Sequence, residues 1–290
     1  MDIKKILTER RGVVDNLQQL LSEIEQEFSI ELKEVGEHGY LMPKIYKPSV
    51  NTFFNSIVFN YSLTVLGGKN KIEERESEFN SNKTTWDTAN NKIDTIRLSF
   101  SCACSADAFH QFIITNMSHE LMHAYEYYQR KIKGAPTELG GEEGEIYNRC
   151  RELIYNPSTD ELTFILANLF YMACPQERRA NAQSIQAGVA ELSQLLWNNG
   201  QTTPPSRETY YKMVSDLILI GRLREVIQNI HIRNTDKEII ESMDKIFGDG
   251  AYRTRAQANR KINMSLTRII ESSEKALDRA IKAIYKDSEE

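Results

Sequence analysis

The spacing of hydrophobic residues changes along this chain, and the changes divide it. Residues 3–28 carry Ile6, Val13, Val14, Leu17, Leu20, Leu21 and Ile24 at helical spacing. Three stretches follow, 29–34, 56–67 and 93–102. They alternate or run β-branched and aromatic, with Gly, Asn and Pro between them, and so predict strands. Residues 69–91 are charged and Asn-rich, which suggests a long loop or an excursion between strands. Beyond this the period becomes 3.6 and stays there, predicting helices near 106–131, 144–155, 159–173, 175–199, 205–229, 236–247 and 254–286. Strands first and helices after give an α+β class. The expectation is a small mixed or antiparallel sheet in the N-terminal half, packed on the 106–131 helix, and a mostly helical C-terminal half. The division falls between 1–134 and 135–290.

The 106–131 helix carries the densest chemistry, His119-Glu120-Leu121-Met122-His123. The chain has only 5 His (His38, His110, His119, His123 and His231), so two of them four apart is informative. At that spacing both imidazoles lie on one helix face and can reach one metal ion. Glu120 points about 100° away from them, where its carboxylate can hydrogen-bond a water on the metal. The flanking Met117, Ser118, Leu121, Met122 and Ala124 are uncharged and offer no competing ligand. The alternative is a pair of hydrogen-bonded core histidines beside a solvated Glu120.

A zinc hydrolase takes three protein ligands and leaves one position for water. Glu126 continues the histidine stripe but sits a turn further along, so it falls outside the ligand shell or in solvent. Glu138, Glu142, Glu143 and Glu145 lie in a flexible Gly-rich loop and read as solvated. Glu177 is the best candidate. Pro175 suits the first turn of a helix, which places Glu177 where exposed amides and the helix dipole favour a carboxylate. Asn181 shares its face, and Ala180 is small enough for close helix approach. Glu177 is equally explained as an ordinary first-turn acid.

His119-Glu120-x-x-His123, followed by Glu177-x-x-Ala180-Asn181 on a separate helix, resembles the gluzincin zinc metallopeptidases. The second block is most similar to the prenyl-protein and heat-shock membrane peptidases, and to the small peptidases that inactivate phage repressors. The resemblance implies zinc ligands His119, His123 and Glu177, a general base Glu120, and a hydrogen-bonding support Asn181. It covers two short blocks, 54 positions apart (177 minus 123), and points to the clan without a family inside it. Asn116 stands where Val or Thr is more usual, and no third histidine of the metzincin type follows His123.

Composition narrows the partners. A net charge of −5 and a pI near 5.7 argue against general affinity for nucleic acid or an acidic membrane. Arg253, Arg255, Arg260 and Lys261 form a local basic segment. The first residues lack the apolar core of a signal peptide, and the longest apolar run, 162–174, is too short to span a bilayer. The chain therefore reads as soluble and cytoplasmic. Its 4 Cys are expected to be reduced thiols, and Cys102-Ala103-Cys104 is not a zinc-ribbon spacing. Asn- and Lys-rich composition with few Pro suits a bacterial or phage protein.

The expected function is a zinc-dependent metallopeptidase, with its cleft between the two parts and a protein or peptide as substrate. The alternative is a non-catalytic structural or assembly protein that retains a zinc site. The strand at 93–100 is either an edge that pairs with an extended peptide or an internal, fully paired strand. The amphipathic last helix packs on the helical half, or else mediates a homo-oligomer or an assembly contact. His231, Tyr252 and Tyr171 have the chemistry of an oxyanion donor, and the sequence singles out none of them.

Overall fold

The computed structural model describes residues 20, 23–24, 26, 38–39, 44–49, 53–66, 72–104, 106–135, 140–198, 208 and 220–287. Two compact units divide the chain, Met1–Ala135 and Pro136–Glu290. Of the helix expected over 3–28, only positions 20, 23, 24 and 26 are described. They are helical, with Leu20 and Ile24 buried. The strand expected at 29–34 lies outside the described residues.

The first unit holds a mixed sheet of β1 (His38–Gly39), β2 (Lys44–Tyr46), β3 (Phe54–Val65), β4 (Ile72–Phe79), β5 (Thr85–Asp87) and β6 (Lys92–Cys104). β3 and β6 run parallel from Phe54↔Ile93 to Val65↔Cys104. β1 and β2 pair antiparallel with β3. β4 and β5 pair antiparallel with β6 on its other side. β6 is thus inserted between β3 and β4, which is the internal, paired alternative of the two the sequence left open. Its alternating Ile96, Leu98, Phe100 and Cys102 are buried, as a strand covered on one face requires.

The charged segment 69–91 turns out to contain β4, which is one edge of the sheet among the described residues. Among the described residues β4 pairs with β6 alone, and its sequence is Ile-Glu-Glu-Arg-Glu-Ser-Glu-Phe. Charge suits an edge strand, because it opposes pairing with stray chains.

α1 (Ala106–Ile132) follows β6 directly and packs on β4 and β6. Met117, Leu121 and Ala124 recur at i, i+4 and i+7 and are buried, which fixes the sheet-facing side of the helix. Aromatic pairs fasten it there. Phe79 meets Tyr127 at 5.8 Å, Trp86 stacks on Tyr128 at 5.9 Å and Phe53 meets Tyr125 edge-on at 5.3 Å.

The second unit is helical: α2 (Gly141–Tyr155), α3 (Glu161–Ala173), α4 (Pro175–Asn198), α5 (Ile220–Arg233), α6 (Asp236–Phe247) and α7 (Arg255–Asp287). α2 begins three residues before the expected start and carries Glu142 and Glu143 in its first turn, where the dipole favours them. Apart from position 208, residues 205–219 of the expected 205–229 helix lie outside the description. Leu166, Leu169, Phe170, Ile239, Met243 and Ile262 bring α3, α6 and α7 into one core. A second cluster packs Ile185 and Val189 of α4 on Leu277 and Ile281 of α7, so the last helix lies on the helical unit. Cys102, Cys150 and Cys174 are buried thiols. No described helix is long and apolar enough to cross a membrane.

Local caps fix the helices that lead toward Glu177. Asp160 accepts the Thr163 N–H at 2.9 Å at the start of α3 and also accepts from Lys245 Nζ at 2.7 Å. Burial alone would raise its carboxyl pKa. The bonds from Lys245 and Thr163 outweigh that and hold it at about 2, against an ordinary 3.8. The ionised form is therefore favoured in the folded state. Its contribution is complete above 3.8 and disappears as the pH falls through about 2. Asp160→Ala should cost about 0.5–2 kcal/mol in urea unfolding at pH 7, with the deficit shrinking over that acid window.

Candidate metal centre

His119 and His123 are half-buried on α1, next to the sheet-facing stripe. Their Nε2 atoms stand 3.1 Å apart, one ring donating and the other accepting, with ring centroids 4.7 Å apart. Two nitrogens each about 2.0–2.1 Å from one tetrahedral ion would stand about 3.3 Å apart. The observed separation is thus close to what two ligands of one tetrahedral ion require.

Glu120 lies on the buried side of the same helix and is only 4 % exposed. Ser77 Oγ donates to Oε1 at 2.6 Å, and the Phe79 N–H donates to Oε2 at 2.7 Å. Both donors belong to the end of β4. The Asn80 N–H donates to Arg97 O of β6 at 3.0 Å. Since main-chain groups alternate in direction along a strand, the Phe79 N–H points away from β6, toward the open edge. Glu120 thus caps the last outward amide of the edge strand. Sequence reasoning placed Glu120 beside the histidines. It missed Ser77 and Phe79, whose contact with Glu120 depends on a strand that the charged sequence disguised.

Glu177 occupies the third position of α4. The Arg178 N–H donates to Cys174 O at 3.0 Å, closing the first turn behind Pro175. Glu177 is 2 % exposed, Ala180 is fully buried, and Asn181 is half-buried one turn beyond Glu177. Tyr147 of α2 donates its hydroxyl to Glu177 Oε1 at 3.2 Å. Tyr147 and Tyr171 hydroxyls stand 3.2 Å apart, and their rings stack at 5.0 Å.

Burial first, and then the charge of Glu177, push the Tyr147 hydroxyl well above its ordinary value, so it remains a proton donor. Burial, with the charges of Glu177 and Glu143, raises the Cys174 thiol to about 11. Tyr147 sits on the stripe Gly144, Tyr147 and Cys150 of α2. That spacing marks it as inward-facing, but nothing in the sequence links it to Glu177.

The first unit thus brings His119 and His123 together, with Glu120 one residue away. The second sets Glu177 and Asn181 on one helix. Glu126 is half-buried on α1, and Glu142, Glu143 and Glu145 are exposed, as expected. Glu138 lies outside the described residues. Tyr252 packs on Phe247 at 5.3 Å, and the His231 main-chain carbonyl accepts from Arg255 at 2.6 Å, both contacts within the helical unit. No protein-family model, curated protein or solved structure matches the chain.

Proposed function

We propose that the protein is a zinc-dependent peptidase in which His119, His123 and Glu177 hold one zinc ion, Glu120 is the general base and Asn181 steadies the ligands. The observation that carries this reading is the 3.1 Å separation of the two histidine Nε2 atoms, with Glu120 as their neighbour on the helix. Two His and one carboxylate are a donor set typical of hydrolytic zinc. Bound there, zinc would supply an activated water and polarise the scissile carbonyl.

The remaining steps belong to the chain's own residues. Glu120 is buried and held by two donors, so its carboxylate is oriented before substrate arrives. The Ser77 hydroxyl can rotate, so Oε1 is the oxygen more easily released to accept a proton and return it to the leaving amine. Along β4 the main-chain groups of Arg75 and Ser77 share the outward direction of Phe79. They offer an extended peptide a row of partners ending at the base. The reading thus takes a protein or peptide as substrate. The buried thiols Cys102, Cys150 and Cys174 suit a reducing cytoplasm.

The test is zinc content by mass spectrometry combined with cleavage of a mixed peptide library. About one zinc per chain with cleavage supports the reading, and a metal-free protein after zinc loading ends it. Ser77→Ala should leave zinc content unchanged and lower kcat about 3–10-fold at constant KM, because one orienting bond to a charged group is lost.

One observation favours a second reading, a zinc-holding structural or assembly protein without turnover. Both oxygens of Glu120 already have protein donors, as a purely structural carboxylate would. Glu120→Gln separates the two.

A further inference from the structure

The geometry points to Tyr147 as the residue that positions Glu177 to bind metal, with Tyr171 as the donor behind it; this rests on the zinc reading above. A carboxylate that is 2 % exposed needs donors of its own, and Tyr147 supplies one to Oε1 at 3.2 Å. A phenol has a single hydrogen. Tyr147 gives its hydrogen to Glu177, so the 3.2 Å contact between the hydroxyls must run from Tyr171 O–H to the Tyr147 oxygen. The result is a directed chain, Tyr171 to Tyr147 to Glu177, in which each donor strengthens the next.

The chain fixes which carboxylate oxygen is engaged and how the group is turned. Ligands whose outer partners are removed commonly lose 10–100-fold in metal affinity. Three different helices contribute. Tyr147 comes from α2, Tyr171 from the last turns of α3 and Glu177 from the first turn of α4. The stacked rings, 5.0 Å apart at 25°, set the distance between the hydroxyls independently of the hydrogen bonds. Phenylalanine at either position keeps the stack and removes only the hydroxyl. The two substitutions therefore separate positioning from packing.

The experiment is zinc affinity of the full chain, measured by competition with a chromogenic chelator, with thermal melts of the metal-free proteins alongside. Tyr147→Phe is expected to weaken zinc binding about 10–100-fold, and Tyr171→Phe by less. Wild-type zinc affinity in a folded Tyr147→Phe protein would overturn the inference and leave the zinc site standing. A wild-type chain that binds no zinc would end the zinc reading, and this inference with it. Should Tyr147→Phe fail to fold, Tyr171→Phe decides. That variant keeps the direct contact but removes the donor behind it, so a several-fold loss supports the chain and an unchanged affinity overturns it.

Discussion

Glu120→Gln is expected to retain one zinc per chain and to lower peptide cleavage about 10²–10⁴-fold, the usual worth of a positioned general base. The substitution suits this site, because glutamine can keep the local bonds. Its carbonyl oxygen can accept the fixed Phe79 N–H, and its amide can donate to Ser77 Oγ once that hydroxyl rotates to accept. Shape, burial and the strand contact persist, while the basic oxygen pair is gone. The melting temperature should stay near wild type, which separates lost chemistry from lost fold. Cleavage by the variant at the wild-type rate would remove Glu120 from the mechanism. Its two donors would then be understood as fastening α1 to the edge of the sheet.

The same contact shows how far the sequence could be read. The histidine pair and its neighbouring acid are visible because helix geometry alone brings positions four apart together. The start of α4 was visible for a similar local reason, because Pro175 suits a first helical turn. The caps on the neighbouring helices, Asp160 on α3 and Thr235 with Glu238 on α6, come from the structure.

β4 was hidden because Glu73, Glu74, Arg75, Glu76 and Glu78 look like a solvated loop. Yet an edge strand with one outward row of amides is where charge is expected. β6 was ambiguous for the opposite reason. Its apolar face does not say whether one or both of its hydrogen-bonding rows are used, and only the insertion of the strand between β3 and β4 settles that. Tyr147 lay beyond reading altogether. Its partner is 30 residues away on another helix, and a tyrosine on a buried stripe is ordinary core.

Glu177→Ala should reduce zinc from about one per chain to a small fraction after a brief dialysis, and should abolish the stabilisation that zinc gives. A ligand that binds only the folded chain raises stability by about 2.7 kcal/mol at 100 times its dissociation constant. Wild type should therefore show a clear zinc-dependent rise in melting temperature, and the variant little or none. The metal-free variant should also melt somewhat lower than metal-free wild type, because Tyr147 loses its acceptor in a part-buried setting, at about 1–3 kcal/mol. Comparing the melts with and without zinc separates these two effects, since the tyrosine penalty is present in both. If the variant instead holds one zinc as tightly as wild type, Glu177 is a first-turn acid satisfied by Tyr147. The third ligand must then be sought elsewhere, with the half-buried Glu126, further along the helix that carries both histidines, as the next residue to change.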